Sequence, residues 1–458
     1  MAELIPNRRL VDKGFITKLA NEPVKEFAIS AGARYGDNVM GTLLSIDVKT
    51  QSNNILNLVI KSVLPMTGVI DRKTLDDARN LVQWNVFPKE ICYYKIIRPI
   101  FLEACEKPED FAHFSSPKYF SSYTDTHGLN DYLSLEDLRP SGYKMANKFK
   151  GLGYEEVAAA LKELAFFHAM SYFLLDSKHE KFCSMAEDPN STLNDFNWES
   201  CDGGNLQLFF NGIVSSSVEL LRESGQLDVA DKMGRFVRDG HNFIMTLWRK
   251  TKEDGRKYFQ CFIHADLWTN NILFQYANDG KTVQDVKFVD FQRSRIGNVY
   301  EDLLYFIFTS TTVEFRKNHL QTCLGIYFQE FENCLQNKKC NLPTGFTELE
   351  LRKTFHENLE YGLSYTLFAV PYQLGLKPPP PSPMTPIEGD FSNNVFFPPQ
   401  DTALTASPAQ EEESSTDTKS SFLKTIKAEV DTLKIAMRNS LVAKKRLKEL
   451  AEEMVEHN

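Results

Sequence analysis

The N-terminal part of the chain contains short runs rich in aliphatic and β-branched residues, the pattern typical of strands. Such runs lie at residues 42–48 and 56–63, and a third strand is expected at residues 96–102. Between the last two, residues 76–94 carry apolar side chains at helical spacing, with a break expected at Pro88. The pattern therefore predicts a small sheet that carries one helix.

After residue 155 the apolar positions recur with the period of a helix, beginning at Val157, Leu161, Leu164, Ala165 and His168. Further helical spacing covers residues 214–221, 230–248 and 302–335. Within this helical part, three short apolar runs predict strands at residues 261–263, 272–274 and 286–289. The expected fold class is therefore α+β, with a β-rich N-terminal part and a mainly helical C-terminal part that holds a small β insert.

The organisation along the chain follows from changes in composition. We expect an N-terminal unit at residues 1–138 that ends in a linker, and a helical unit at residues 139–376. Residues 377–420 are rich in proline and then in serine and acidic residues, which predicts disorder. Residues 421–458 carry a heptad-like spacing that ends near Ser440, which favours a helix docked on its own protein over a coiled coil.

Charge and composition exclude several classes of protein. With 52 Lys and Arg against 61 Asp and Glu, the net charge of −9 argues against a nucleic-acid binder. No apolar signal segment is expected at the N-terminus, and the uncharged stretch at residues 361–376 is short for a membrane span. Eight scattered cysteines without a C-x-x-C pair predict free thiols and a cytoplasmic protein.

The most informative stretch combines a histidine, an aspartate and an asparagine with a later aspartate. His264, Asp266 and Asn271 form the pattern H-x-D-x4-N between two apolar runs, and Asp290 ends the next apolar run. Phosphoryl transfer from ATP needs a carboxylate near the attacking hydroxyl and oxygen ligands for Mg²⁺. The alternative is that two polar loops contain aspartates by chance. The presence of both motifs favours Asp266 as the base, with Asn271 and Asp290 as metal ligands.

Two charged residues upstream fit the same chemistry. Lys61 ends the run L-V-I-K and resembles the strand lysine that reaches the ATP phosphates in kinase folds. Glu90 opens a helix-like segment and is expected to pair with Lys61. A plain surface lysine and a solvated helix carboxylate are the alternatives.

Further nucleotide contacts are expected from backbone groups. Glu136 and Leu138 lie at the linker and would offer main-chain groups to adenine, the alternative being a simple turn. Gly36, Asn38 and Gly41 belong to an irregular glycine-containing loop that would cover the phosphates through its N–H groups.

These residues resemble a known family. The chain is similar to the ecdysteroid kinase-like (CHK kinase-like) family of insects and nematodes, relatives of choline and aminoglycoside kinases, over roughly residues 10–376. The resemblance rests on L-E-D-L at 135–138, G-Y-K-M at 142–145, E-L-A-F-F-H-A at 163–169, H-A-D-L-W-T-N-N at 264–271, V-D-F-Q at 289–292 and D-L-L-Y-F at 302–306. It implies a two-lobed protein-kinase-like fold and ATP-dependent phosphorylation of a small hydroxylated molecule, of which ecdysteroids are the named example.

Four other residues carry specific expectations. Family members usually have glycine where Ala265 stands, and the methyl group would crowd the loop if the position needs a positive φ. His168 is expected to be a packed core histidine, and Asp302 to cap N–H groups of the catalytic loop. Trp268 either lines the acceptor pocket or anchors the loop.

We therefore expect a small-molecule kinase that uses ATP and Mg²⁺ and acts on a small, largely apolar hydroxylated acceptor. Two alternatives stay open. One is a catalytically silent pseudokinase that binds or sequesters a hydrophobic small molecule. The other is a choline-type kinase, which would need an anionic and aromatic cage for a cationic acceptor.

Overall fold

The structure is a computed structural model. It describes residues 11–32, 41–66, 86–105, 116–188, 191–194, 205–235, 258–374 and 437–456, with shorter pieces at 75, 78–79, 82, 237–238, 247, 250, 430–431 and 434–435. Within these residues the fold is mixed, with an antiparallel sheet in the N-terminal region and a helical C-terminal part.

The N-terminal region is a five-stranded sheet with a helix on it. The elements are α1 (Lys13–Ala20), β1 (Val24–Ala31), β2 (Thr42–Thr50), β3 (Ile55–Ser62), β4 (Tyr119–Tyr123) and β5 (Tyr132–Glu136). Neighbouring strands pair antiparallel in the order β1-β2-β3-β5-β4. Ile16 of α1 packs with Ile46, Leu58 and Ile60 of the sheet, and all four are fully buried. The strands expected at 42–48 and 56–63 are confirmed as β2 and β3.

A helical segment of three parts follows β3 along the chain. It comprises α2 (Val86–Cys92), a π-helical turn (Tyr93–Ile97) and α3 (Arg98–Ala104). The strand expected at residues 96–102 is therefore wrong. Ile97, Ile100 and Phe101 are buried in this helix and the residues between them are half-buried. A short apolar run cannot be assigned to a helix or a strand by its pattern alone.

The two prolines of this segment do not interrupt it. Pro88 is the third residue of α2, and Pro99 lies in the first turn of α3. Pro99 closely follows the π-helical turn and continues the helical segment. The break expected at Pro88 is wrong, because helix is described on both sides of the proline, at residues 86–87 and 89–92.

Long helices form most of the C-terminal part. They are α4 (Tyr154–Asp176), α5 (Glu180–Glu187), α6 (Asn205–Glu223), α7 (Val299–Ser310), α8 (Val313–Asn337), α9 (Glu348–Glu357), α10 (Leu359–Gln373) and α11 (Leu441–Glu456). The helical run expected at 302–335 is split between α7 and α8, because the Thr312 side chain accepts the Phe315 N–H and starts a new helix.

The small β insert predicted for this part is confirmed, with additional strands. β6 (Tyr143–Met145), β8 (Ile272–Tyr276) and β9 (Val283–Phe288) form one antiparallel sheet, and β7 (Cys261–Ile263) pairs with β10 (Arg295–Gly297). β6 (Y-K-M) and β10 (R-I-G) contain no apolar run like the C-F-I of β7, so the sequence pattern does not mark them.

The helix α4 is the centre of the main hydrophobic core. Among the described residues it is the one helix that is long and apolar enough to cross a membrane, yet 61% of its apolar window is buried inside the protein. Its His168 is fully buried and bonds to Tyr327 and Asp302. These contacts identify α4 as a core helix and confirm His168 as a packed core histidine.

The C-terminal helix docks on the same chain, as expected. Glu453 of α11 forms a bidentate ion pair with Arg316 of α8 at 3.0 Å and 2.5 Å, with both side chains buried. Lys434 and Arg438, just before α11, pair with Glu219 and Glu223 of α6. None of the described cysteines forms a disulfide.

The buried pair between Glu453 and Arg316 should contribute strongly to stability. Glu453→Gln would leave the Arg316 guanidinium buried without its counter-charge, so we expect the free energy of unfolding to fall by about 3 kcal/mol. Urea unfolding followed by circular dichroism measures this change. Glu452→Gln is the matched control, because its side chain is half exposed and should change stability by at most about 0.5 kcal/mol. Equal effects of the two substitutions would contradict the prediction.

Candidate active site

The loop between β7 and β8 carries the H-x-D-x4-N pattern. Asp266 lies ahead of a 3₁₀ turn formed by Thr269–Asn271, and its carbonyl accepts a hydrogen bond from the Asn271 side chain at 2.7 Å. The Asn271 carbonyl in turn accepts the Val289 N–H at 3.0 Å. His264 lies 3.0 Å from the Val289 carbonyl through Nε2. The two motifs are therefore brought side by side by main-chain bonds.

A buried carboxylate holds the start of this loop. Asp302, the fourth residue of α7, accepts the His264 N–H at 2.7 Å and the Ala265 N–H at 2.6 Å. Burial alone would raise the pKa of Asp302, but His168 and these donors hold it below its usual range. The expectation that Asp302 caps the loop is confirmed.

Ala265 adopts the backbone conformation that the sequence analysis raised as a difficulty. Its φ is 63°, in the left-handed region that costs an L-residue with a Cβ about 1–2 kcal/mol. The residue is buried and its N–H is bonded to Asp302. The loop therefore keeps a glycine-type conformation with alanine in place.

Lys61 connects the sheet to both other parts of the site. Its Nζ lies 2.7 Å from Glu90 Oε2 and 2.5 Å from Asp290 Oδ1. Lys61 lies on β3, Glu90 on α2 and Asp290 after β9, so three segments distant in sequence meet at one ammonium group. The expected pairing of Lys61 with Glu90 is present, and neither residue is a surface residue.

The electrostatics of this cluster reflect its burial. Burial on its own would lower the pKa of Lys61, but the carboxylates of Asp290 and Glu90 outweigh it and the pKa is raised. Burial raises the pKa of Glu90, and the Lys61 charge only partly offsets that rise. Lys61 is therefore held as a cation between two carboxyl groups.

The residues after β9 turn sharply and pack on the helical segment. Asp290 itself has a φ of 69°. The Phe291 ring is fully buried and stacks on Tyr93 with the ring centroids 3.5 Å apart. Gln292 donates to Asp290 Oδ2 at 3.1 Å. Stacking on Tyr93, one turn beyond Glu90, thus positions Asp290 relative to the Lys61 pair.

The Asp266 carboxylate has two further neighbours. The Tyr305 hydroxyl donates to Asp266 Oδ1 at 2.8 Å, and Arg293 Nη1 lies 3.7 Å from the same oxygen. Burial raises the pKa of Asp266 to about 6, with Arg293 opposing the rise and Asp290 adding to it. The carboxylate keeps 14% of its side-chain surface exposed, so a small molecule can reach it.

Of the five other predicted nucleotide contacts, three fall within the described residues. Gly36 and Asn38 lie outside the described residues. Gly41 has a φ of 80°, and a Cβ there would come within 2.8 Å of the Ser62 carbonyl, so the fold itself requires this glycine. The N–H of Glu136 donates to Lys118, and the Leu138 carbonyl accepts from Ser141 and Tyr143.

Several residues at the site were not predicted. Tyr305 and Arg293 contact the Asp266 carboxylate, and Tyr365 of α10 accepts a hydrogen bond from Arg293 at 3.0 Å. Arg293 directly follows V-D-F-Q and could have been noticed there, whereas nothing in the local sequence marks Tyr365. Trp268 is buried in the main core, which favours its role as an anchor of the loop.

A comparison with family models identifies the family. The ecdysteroid kinase-like model matches residues 35–340, well over half of the chain. The chain belongs to the ecdysteroid kinase-like family. Family membership indicates a kinase-like protein of the small-molecule type, and the resemblance seen in the sequence is confirmed. A search of curated proteins finds no match to this chain.

Replacing the capping carboxylate of this ecdysteroid kinase-like protein should destabilise it. Asp302→Asn puts an amide NH₂ where a carboxylate oxygen accepted N–H groups, so we expect the free energy of unfolding to fall by about 3 kcal/mol. Urea unfolding tests this. Asp279→Asn is the control, because Asp279 caps two N–H groups in the same way in an exposed turn and should cost less than about 1 kcal/mol. An Asp302→Asn protein as stable as the control would refute the assignment of this cap.

The strain at Ala265 should be measurable. Ala265→Gly removes the steric cost of the positive φ but raises the conformational entropy of the unfolded chain. We therefore expect the free energy of unfolding to rise by a net of about 0.5–1 kcal/mol. Ala265→Val should instead lower stability, since a β-branched residue tolerates positive φ least. A loss of stability in the glycine variant would mean that packing of the buried methyl group outweighs the strain.

Proposed function

We propose that this protein is a phosphotransferase that moves the γ-phosphoryl group of ATP to a hydroxyl of a small acceptor. The observation that carries the proposal is the meeting of Lys61, Glu90 and Asp290 at one point, beside a loop that holds Asp266 and Asn271. Kinase-type phosphoryl transfer uses a strand lysine paired with a helix glutamate, a metal-binding aspartate and a loop aspartate.

The finer architecture belongs to the same proposal. A two-lobed protein-kinase-like fold would place residues 1–138 in an N-terminal lobe and residues 139–376 in a C-terminal lobe. The sheet order β1-β2-β3-β5-β4 with a helical segment between β3 and β4 along the chain supports this assignment. Glu136 and Leu138 would then lie at the hinge, where adenine binds.

The residues present fit a magnesium ion. Among the described residues no cluster of three or more His, Cys, Asp or Glu side chains could hold a metal alone. This suits Mg²⁺, which takes one or two protein ligands and completes its shell with phosphates and water. Asn271 uses its amide nitrogen on the Asp266 carbonyl, so its oxygen remains to act as a ligand with Asp290. Bound Mg²⁺ would neutralise charge on the transferring phosphates.

The reaction then follows from the positions of the side chains. The acceptor oxygen attacks the γ-phosphorus, the bond from that phosphorus to the β-phosphate oxygen breaks, and ADP leaves. Asp266 orients the acceptor hydroxyl and takes its proton. Lys61, braced by Glu90, holds the phosphates. Most of the rate would come from positioning and electrostatics, because no bond to the protein forms.

The surroundings of Asp266 favour an uncharged or anionic acceptor, with ecdysteroids as the example that the family name suggests. Arg293 and the Tyr305 hydroxyl lie next to the carboxylate, and Tyr365 contacts Arg293 and the Tyr305 ring. A choline-type cation would meet the Arg293 charge there, so this alternative is disfavoured. The pseudokinase alternative rests on Ala265 and on the irregular glycine-containing loop. The strained backbone at Ala265 nevertheless keeps its bond to Asp302.

Two substitutions separate catalysis from binding. Asp266→Asn should abolish transfer, a loss of at least about 10²-fold, while Mg-ATP binding persists because the Lys61 cluster is intact. Asp290→Ala should lose Mg-dependent binding as well. Mass spectrometry of products from a panel of hydroxylated molecules, ecdysteroids included, measures transfer, and thermal stabilisation by Mg-ATP measures binding.

Three outcomes decide the proposal. A phosphate adduct made by the wild type and not by Asp266→Asn supports it. Equal activity of these two proteins would remove Asp266 from its role. A wild type that makes no adduct and is not stabilised by Mg-ATP would favour the sequestering pseudokinase.

A further inference from the structure

Arg293 occupies a defined position beside the candidate base. It ends the 3₁₀ turn Phe291–Arg293, three residues after Asp290. Its Nη1 lies 3.7 Å from Asp266 Oδ1, and its Nη2 donates to the Tyr365 hydroxyl at 3.0 Å. The guanidinium also lies 5.7 Å from the centre of the Tyr365 ring. One end of the guanidinium is thus anchored on α10 while the other faces Asp266.

Arg293 adds positive charge to a site that is rich in carboxylates. Lys61 already contacts two carboxylates, Glu90 and Asp290. Asp266 is a third carboxylate, and the phosphates of ATP would add more negative charge. Arg293 places a second cation at the base, with 18% of its side chain exposed. A partly exposed cation at this point can meet a substrate group as well as Asp266.

The distances place Arg293 within reach of the reacting phosphoryl group. A base lies about 2.6–3.2 Å from the hydroxyl that it deprotonates, and that oxygen starts about 3–3.5 Å from the phosphorus. The phosphorus therefore lies at most roughly 6–7 Å from the Asp266 carboxylate. A guanidinium 3.7 Å from that carboxylate is close enough to meet equatorial oxygens of a phosphoryl group bound on the Arg293 side of Asp266.

We propose that Arg293 is a catalytic residue that donates hydrogen bonds to the γ-phosphoryl oxygens as the group passes to the acceptor. The role rests on the phosphotransferase function proposed above. Arg293 transfers no proton; the acceptor proton goes to Asp266, and the phosphorus exchanges its bond to ADP for a bond to the acceptor. An arginine suits this task because its planar donors bind phosphoryl oxygens in pairs and it stays charged.

A transition-state mimic tests this role without knowledge of the acceptor. Aluminium fluoride added to Mg-ADP stands in for the transferred phosphoryl group, and such mimics bind more tightly than ground-state ligands. Thermal shift and calorimetry would compare Mg-ADP with Mg-ADP plus aluminium fluoride for the wild type, Arg293→Gln, Arg293→Lys and Tyr365→Phe. We expect Arg293→Gln to bind Mg-ADP within about twofold of the wild type but to lose at least about tenfold of the fluoride-dependent affinity.

The other two variants should lose less of the fluoride-dependent affinity than Arg293→Gln. Arg293→Lys keeps the positive charge and should retain part of this affinity. It also replaces the glutamine variant in the test if that variant does not fold. Tyr365→Phe removes only the anchor of Nη2 and should cause a smaller loss. With an active acceptor in hand, Arg293→Gln should lower kcat by about 10³-fold and leave KM for ATP nearly unchanged.

Each contrary result has a distinct meaning. The proposal is overturned if Arg293→Gln gains as much affinity from added aluminium fluoride as the wild type does. It is also overturned if the wild type binds Mg-ADP but gains no affinity from aluminium fluoride. A defect confined to KM for the acceptor would assign Arg293 to recognition of an anionic acceptor and also overturn the catalytic role. A wild type that does not bind Mg-ADP would instead remove the phosphotransferase function itself.

Discussion

The buried ammonium group of Lys61 is the constraint on which the site depends. A charge with 7% of its side chain exposed is tolerated only when counter-charges and hydrogen bonds replace the water that it has lost. Glu90 and Asp290 supply both, and they come from a helix and from the end of a strand. Satisfying one cation therefore ties the N-terminal sheet, the helical segment after it and the C-terminal β insert to a common geometry.

The loop that holds Asp266 depends on a second buried charge, of opposite sign to Lys61. Asp302 binds two successive N–H groups of the loop and contacts His168 of the core helix α4. If the loop moved away from Asp302, the carboxylate and the two N–H groups would lose their hydrogen bonds while still buried. These hydrogen bonds explain why Ala265 can keep a positive φ, because their free energy offsets the steric cost of that conformation.

Predictions from the sequence were correct where a catalytic motif or a long run of regularly spaced apolar residues was present. The helices at α4 and α8, the strands β2 and β3 and the pairing of Lys61 with Glu90 follow from pattern and motif. Sequence reasoning failed at residues 96–102, because a short apolar run of this kind occurs in helices as well as in strands. It also missed β6 and β10, whose three residues form no apolar run, and Tyr365, which belongs to no motif. Tyr305 lies in D-L-L-Y-F at 302–306, but the motif does not show that its hydroxyl meets Asp266.

The sequence by itself determined the family, the mixed α and β class, and the residue types available for phosphoryl transfer, because each is recorded in local spacing along the chain. Tertiary structure alone decided that Asp290 joins Glu90 at Lys61, that Asp266 has Tyr305 and Arg293 as neighbours, and that α11 packs against α8. These contacts join residues separated by 27 to 229 positions. Local propensity acts over a few residues, so only the packing of the whole core can bring such groups together.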